Sequence, residues 1–335
     1  MNKKRWAALG IAIGVLIFSG ITQTARFFNG VSDDEIFGFV DSVFGDGRFS
    51  EEVIQPGNWN ERIVVLNVHG PIIDGGGLFS GGEFSHQAFL QKLDQIENDP
   101  SVRGIILSVN TSGGGVFESA QIASRLDRLQ DEFGLPIYVS MGSMAASGGY
   151  YIAAGADRIF ASRQTWTGSL AAVISSLNFS GLMEEWGIED QTVASGEHKT
   201  LGSATIPMSA GDRAILQSLV DNAHDDFVEV IARGRGMDEA QARNLADGRI
   251  FDGIQALEAG LIDEIGYQED AIAAMRRDFN LEDAEVFSLM ENHGFGSLFW
   301  VRAAELLSLS QSSQGVLSSL ETNHAPRLFF IWGGR

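Results

Sequence analysis

The chain has 335 residues, 44% of them hydrophobic, enough to bury a sizeable core in one large domain or two small ones. Its formal net charge is −21, and residues 1–26, which carry Lys3, Lys4, Arg5 and Arg26 and no acid, leave the remainder with 19 basic against 44 acidic side chains, a formal −25. So acidic a body argues against electrostatic binding of nucleic acid or of an anionic membrane surface. The absence of cysteine excludes disulfides, thiolate nucleophiles and Cys-ligated zinc. The histidines (His69, His86, His198, His224, His293 and His324) form no H-x-x-x-H pair, so no helical metal site is expected.

Residues 1–5 are basic, and 6–25 form an apolar run near the lower length limit of a transmembrane helix. Lys3, Lys4 and Arg5 on one flank and Asp33, Asp34 and Glu35 beyond the other keep the N-terminus in the cytoplasm and put the body outside it. A cleaved signal peptide is the rival, but cleavage after Ala25 would place Gln23 at the third position back. Residues 26–62 mix aromatics, acids and glycines without a sustained period and read as a juxtamembrane connector. The folded domain is expected over 63–280, opening on the strand Ile63–Val68. The loop that follows holds Gly75–Gly77 and Gly81–Gly82, but no G-K-[ST] follows it and no G-x-G-x-x-G opens a helix, so it is not read as a phosphate cradle.

From there the pattern alternates. A helix is predicted over 84–96, a buried strand over 104–109, a helix over 116–129, a strand at 137–139, a helix from Ser147 and a short strand at 158–161. Such alternation predicts βαβ units and a parallel sheet, with ligands at the carboxyl ends of the strands. Two glycine-rich turns fall at those ends. Asn110–Gly115 could free backbone N–H groups for an oxyanion, although positive φ alone would justify its glycines. In Ile137–Ala154 a β-branched strand gives way to small residues at Ser147-Gly148-Gly149, putting a hydroxyl at the start of a helix, where unpaired N–H groups favour developing negative charge. Ser147 is thus either a cap or a nucleophile in need of a base, with its own N–H as a second oxyanion donor.

Lysine usage supplies the base. After Lys92 every fixed cation but Lys199 is arginine, and only a lysine can be neutral when desolvated and take a proton. The adjacent His198 is not read as the base, because neighbours on an extended chain point opposite ways. Ser169, in the turn Thr165–Ser169, could hold a neutral lysine by hydrogen bond, or be an ordinary loop serine. Ser209-Ala210-Gly211-Asp212 resembles a capping box opening a helix to about Arg233. A helical piece follows over 238–247, then a helix at 254–259 with a return strand at 260–263. Residues 281–335 form a C-terminal extension, with an amphipathic helix candidate at 298–307, a serine-rich stretch at 308–319 and an apolar strand candidate at 327–332.

Four stretches, NTSGGGVFES (110–119), MGSMAASGGYY (141–151), TGSLAAVI (167–174) and SGEHKTLGS (195–203), together resemble the signal peptide peptidase A family, Ser-Lys peptidases of the crotonase and Clp-protease superfamily. The resemblance covers about Ile63 to Gly266, the N-terminal anchor and the closing 326–332 segment. It implies an α/β fold of the crotonase/ClpP-like repeated ββα superhelix type behind a transmembrane helix. It further implies Ser147 as nucleophile, Lys199 as general base, Ser169 orienting the lysine, and a backbone oxyanion donor at Gly114 or Gly113. Thr111-Ser112 replaces the Ser-Pro that often precedes the glycines, a change expected to loosen that turn, and Ala204 stands where proline is common. The family also implies a ring-shaped homo-oligomer in the bacterial inner membrane that cleaves remnant signal peptides, with no cofactor or metal. For short members such as this one the resemblance implies a dyad joining Ser147 of one subunit to Lys199 of the next, while spacing alone equally allows a dyad within one chain. The rivals at this point are a crotonase-type acyl-thioester enzyme and a non-catalytic membrane scaffold of the same fold.

Overall fold

The computed structural model describes residues 49–73, 84–291 and 329–331. The expected anchor at 6–25, the glycine loop at 74–83 and most of the C-terminal extension lie outside the described residues, and among those described no helix is long and apolar enough to cross a membrane. Contacts divide the chain into two units. The first (1–50 and 291–307) contains only Phe49, Ser50 and Glu291 of the described residues, so the fold is that of the second, 51–290 with 308–335.

It is a mixed α/β unit around a nine-stranded sheet whose main path runs β1 (Phe49–Gln55), β10 (Ala284–Glu291), β2 (Asn58–His69), β3 (Val102–Thr111), β5 (Ile137–Ala146), β6 (Arg158–Ala161) and β9 (Glu264–Ile265). From β10 to β9 the pairings are parallel, as the alternation predicts. A short β7 (Trp166–Gly168) pairs parallel with the end of β5 and antiparallel with β8 (Ile250–Phe251). The central strands read as continuous apolar runs because both faces are covered. Ile63, Val65, Ile106, Tyr138 and Phe160 pack with Ala271, Ile272 and Met275 of α8 (Gln268–Phe279). Alternate residues such as Val64, Leu66, Ile105, Leu107 and Val139 are buried on the opposite face. The helices α1 (His86–Glu97), α2 (Val116–Phe133) and α3 (Gly148–Ala153) pack successively on one another, and α3 lies on β3 and β5.

The sheet reaches beyond both boundaries read from the sequence. β1 and the start of β2 lie inside the expected connector 26–62; β1 is exposed along most of its length, so no alternation marks it. At the other end β10 enters the sheet between β1 and β2, with Val286, Phe287 and Leu289 buried, well past residue 280.

The remaining helices are α4 (Ser180–Glu185), α5 (Ala210–Arg235), α6 (Glu239–Leu245) and α7 (Gly253–Glu258). The expected capping box is present. The Ser209 hydroxyl accepts from Asp212 N at 3.0 Å while the Asp212 carboxylate accepts from Ser209 N at 3.1 Å, and Gly236 closes α5 in the left-handed region.

Candidate active site

At the carboxyl end of β5 the chain turns into α3 through Ser147, whose φ of 55° and ψ of −116° are strained for a residue with a side chain. Two bonds hold it there: its N–H donates to Gly168 O at 2.7 Å, and its carbonyl accepts from Tyr151 N at 2.9 Å. Its hydroxyl is buried, makes no capping bond, and has no hydrogen-bond partner among the described residues. A structural cap would spend that hydroxyl on a helix N–H. This one is held back from such use.

Small residues around it are required by contact. A Cβ on Gly148 would come 2.5 Å from Ser119 Oγ and 3.1 Å from Gly114 N, and one on Gly149 would come 2.6 Å from the Thr111 methyl. The glycine turn therefore packs directly on the start of α3. In it, Gly113–Gly115 form β4, with Gly113 at φ 103°. The Gly113 N–H is taken by Thr111 Oγ1 at 3.0 Å and the Gly115 N–H by Ile72 O at 2.7 Å. Thr111 thus ties the turn down rather than loosening it. A Cβ on Gly114 would lie 1.9 Å from Ile72 O, so no other residue fits.

The main-chain groups of Gly114 face a third strand. β11 (Phe329–Ile331), from the expected terminal strand, pairs antiparallel with β4 in the register Phe329 to Gly115, Phe330 to Gly114 and Ile331 to Gly113. On its other side Phe329 exchanges both main-chain bonds with Val173, at 2.9 and 3.0 Å. Because a strand alternates, the polar groups of Phe330 turn the other way, toward Gly114. An extended segment therefore lies between β4 and Val173, against α3, whose N-cap is Ser147.

This geometry corrects one expectation. The Ser147 N–H is committed to Gly168 and is not an oxyanion donor here, and Gly113 is likewise engaged. The N–H groups left are that of Gly148, the first of α3, which has no acceptor within its helix, and that of Gly114, which faces Phe330 in the β4–β11 ladder and is freed only where β11 gives way. The signal for Gly148 was a glycine directly after Ser147. Ser169 is brought to the site: it follows Gly168, the residue that fixes Ser147, is buried, and adopts a φ of 52° with its N–H on Arg249 O at 2.7 Å.

Lys199 is not brought to Ser147. It is exposed in a turn, within a segment from 173 to 199 that packs little against the body and shows large apolar side chains to solvent: Leu177 is 73% exposed, Trp186 72% and Val193 97%. His198 points elsewhere. Its Nδ1 is 2.7 Å from Asp212 Oδ1, and the hydrogen bonds from His198 and Ser209 hold the Asp212 carboxyl below the usual carboxylate range. Neither this link nor the pairing of β11 was read from the sequence. No group of carboxylates and histidines among the described residues could hold a metal ion.

Comparison with known proteins fits this arrangement. Residues 130–282 match the model of peptidase family S49. Over its whole length the chain is 39% identical to the whole of a protein of Enterococcus faecium named as a signal peptide peptidase SppA. It is 32% identical, over 68% of its length and 73% of the relative's, to a protein of Methanocaldococcus jannaschii named as a protease. It is also 35% identical, over 64% of its length and 34% of the relative's, to Protease 4 of Haemophilus influenzae. Together these likenesses identify the chain as a serine peptidase belonging to the signal peptide peptidase A family within S49.

Proposed function

We propose that the protein is a membrane-anchored endopeptidase of crotonase/ClpP-like fold that hydrolyses remnant signal peptides and related membrane-associated peptides with a dyad of Ser147 and Lys199. The observation that carries this reading is the extended segment held between β4 and Val173 beside the buried, unpartnered Ser147 hydroxyl. A groove that pairs with main chain accepts a peptide whatever its sequence. Neutral Lys199 takes the Ser147 proton, Ser147 attacks the scissile carbonyl, and the Gly114 and Gly148 N–H groups stabilise the oxyanion; as the C–N bond breaks, the Lys199 ammonium gives its proton to the leaving amine, and water, deprotonated by the same lysine, releases the acyl-enzyme. Ser169 orients the lysine.

Lys199 comes from a neighbouring copy in a ring. Its exposure within a single chain and the apolar arm that carries it support this, since an amine needs a desolvating cover to act as a base. The segment 6–25 anchors the ring in the bacterial inner membrane, N-terminus inside, with the peptidase domain outside the cytoplasm.

Activity against a peptide substrate is expected to vanish in Ser147→Ala, Lys199→Ala and Lys199→Arg, the last keeping charge while removing the base, and to persist in Ser143→Ala. Co-assembling Ser147→Ala chains with Lys199→Ala chains tests the shared dyad. About a quarter of the sites of a randomly mixed ring regain both groups, so activity returns. A mixture that stays inert places the dyad within one chain, and Lys199→Arg that still cleaves defeats the mechanism.

A further inference from the structure

We infer that His198 is a positioning residue for the base, clamping the turn that carries Lys199 to the first turn of α5 through Asp212. This rests on Lys199 being the base, as proposed above. The main-chain bonds in the turn are local, from Lys199 N to Gly196 O at 3.1 Å and from Leu201 N to His198 O at 3.2 Å, and residues 191–199 are exposed. Such a turn has little of its own to fix its direction. Among the described residues, the hydrogen bond that ties it to the body is that of His198 to Asp212.

The receiving end is built to stay still. Asp212 divides its oxygens: Oδ2 accepts from the Ser209 N–H at 3.1 Å and the Ser209 hydroxyl at 2.7 Å, leaving Oδ1 for the imidazole at 2.7 Å. The Asp212 side chain is 10% exposed and sits at the third position of a 26-residue helix. Gly211 leaves room for the ring, since a Cβ there would meet His198 Cε1 at 3.2 Å. An ionised carboxylate only accepts, so Nδ1 carries the proton.

The consequence concerns a long side chain. A lysine has four rotatable bonds, and a base displaced by about 1 Å loses on the order of a hundredfold in rate. Fixing the main chain one residue away removes much of that freedom before the amine meets the nucleophile.

The test uses the full-length enzyme in detergent and a peptide substrate. In His198→Ala, kcat is expected to fall by about tenfold to a hundredfold with KM within about twofold. His198→Asn, whose amide can donate to Asp212, restores kcat to within about threefold of the parent. The inference is overturned if His198→Ala keeps kcat, if KM rises in step with the loss, or if His198→Asn is as impaired as His198→Ala. Should His198→Ala not fold, His198→Asn against His198→Asp decides the matter: one donates to Asp212, the other is repelled by it, and equal rates refute the clamp. Failure of the underlying base assignment would show separately, as activity surviving in Lys199→Ala.

Discussion

At the scale of single residues the active site is a set of main-chain groups either spent or withheld. Ser147 is held in a conformation that a glycine would adopt freely and a side chain resists, at a cost of about 1–3 kcal/mol. The strain lifts its hydroxyl off the helix N–H groups it would otherwise cap. Ser147→Gly is therefore expected to abolish peptidase activity while raising stability by about 1 kcal/mol, seen as a melting temperature about 3 °C higher. Ser147→Ala abolishes activity without that gain, and equal melting temperatures for the two variants would show that the turn stores no strain. The sequence singles out Ser147 and Lys199 because chemistry restricts which residue types can serve: a hydroxyl at a strand end, and the lone lysine after Lys92 where arginine otherwise prevails. That the Ser147 N–H is engaged was not legible, since it depends on Gly168 O lying 2.7 Å away.

Among the elements, those with a buried stripe or a cap were readable. In α1 the apolar positions Phe89, Leu93 and Ile96 recur at helical spacing, and α5 announces its start in Ser209 and Asp212. β1 has neither signal, and the short β11 acquires its meaning from partners far away in sequence, Gly113–Gly115 and Val173. Such non-local pairing leaves no local trace. If a substrate main chain uses the place that β11 fills, as proposed above, deleting residues 329–335 is expected to lower KM for a peptide substrate by roughly tenfold with kcat little changed. Steady-state kinetics on the shortened chain would check this, and an unchanged KM would mean that substrate enters elsewhere.

For the whole molecule, the parallel sheet and its order of helices followed from the alternating pattern, whereas the placement of Lys199 on an exposed turn away from Ser147 did not. The arm around α4 carries Leu177, Phe179, Leu182 and Trp186, all exposed within one chain, with Lys199 farther along the same exposed segment. Apolar surface of this kind is expected to be covered by a second copy. Trp186→Asp, at a site 72% exposed, should change the stability of a single chain by no more than about 0.5 kcal/mol, yet yield a smaller particle by light scattering and an inactive enzyme. A variant that remains full-sized and active would remove the arm from the assembly.

The outward placement of Lys199 also bears on how the cell survives making such an enzyme. On the shared-dyad reading, each newly translated copy is born harmless, with an alcohol it has no means to activate and an amine with nothing to act upon. Hydrolytic power would then switch on steeply with local crowding, wherever enough copies have gathered to complete one another.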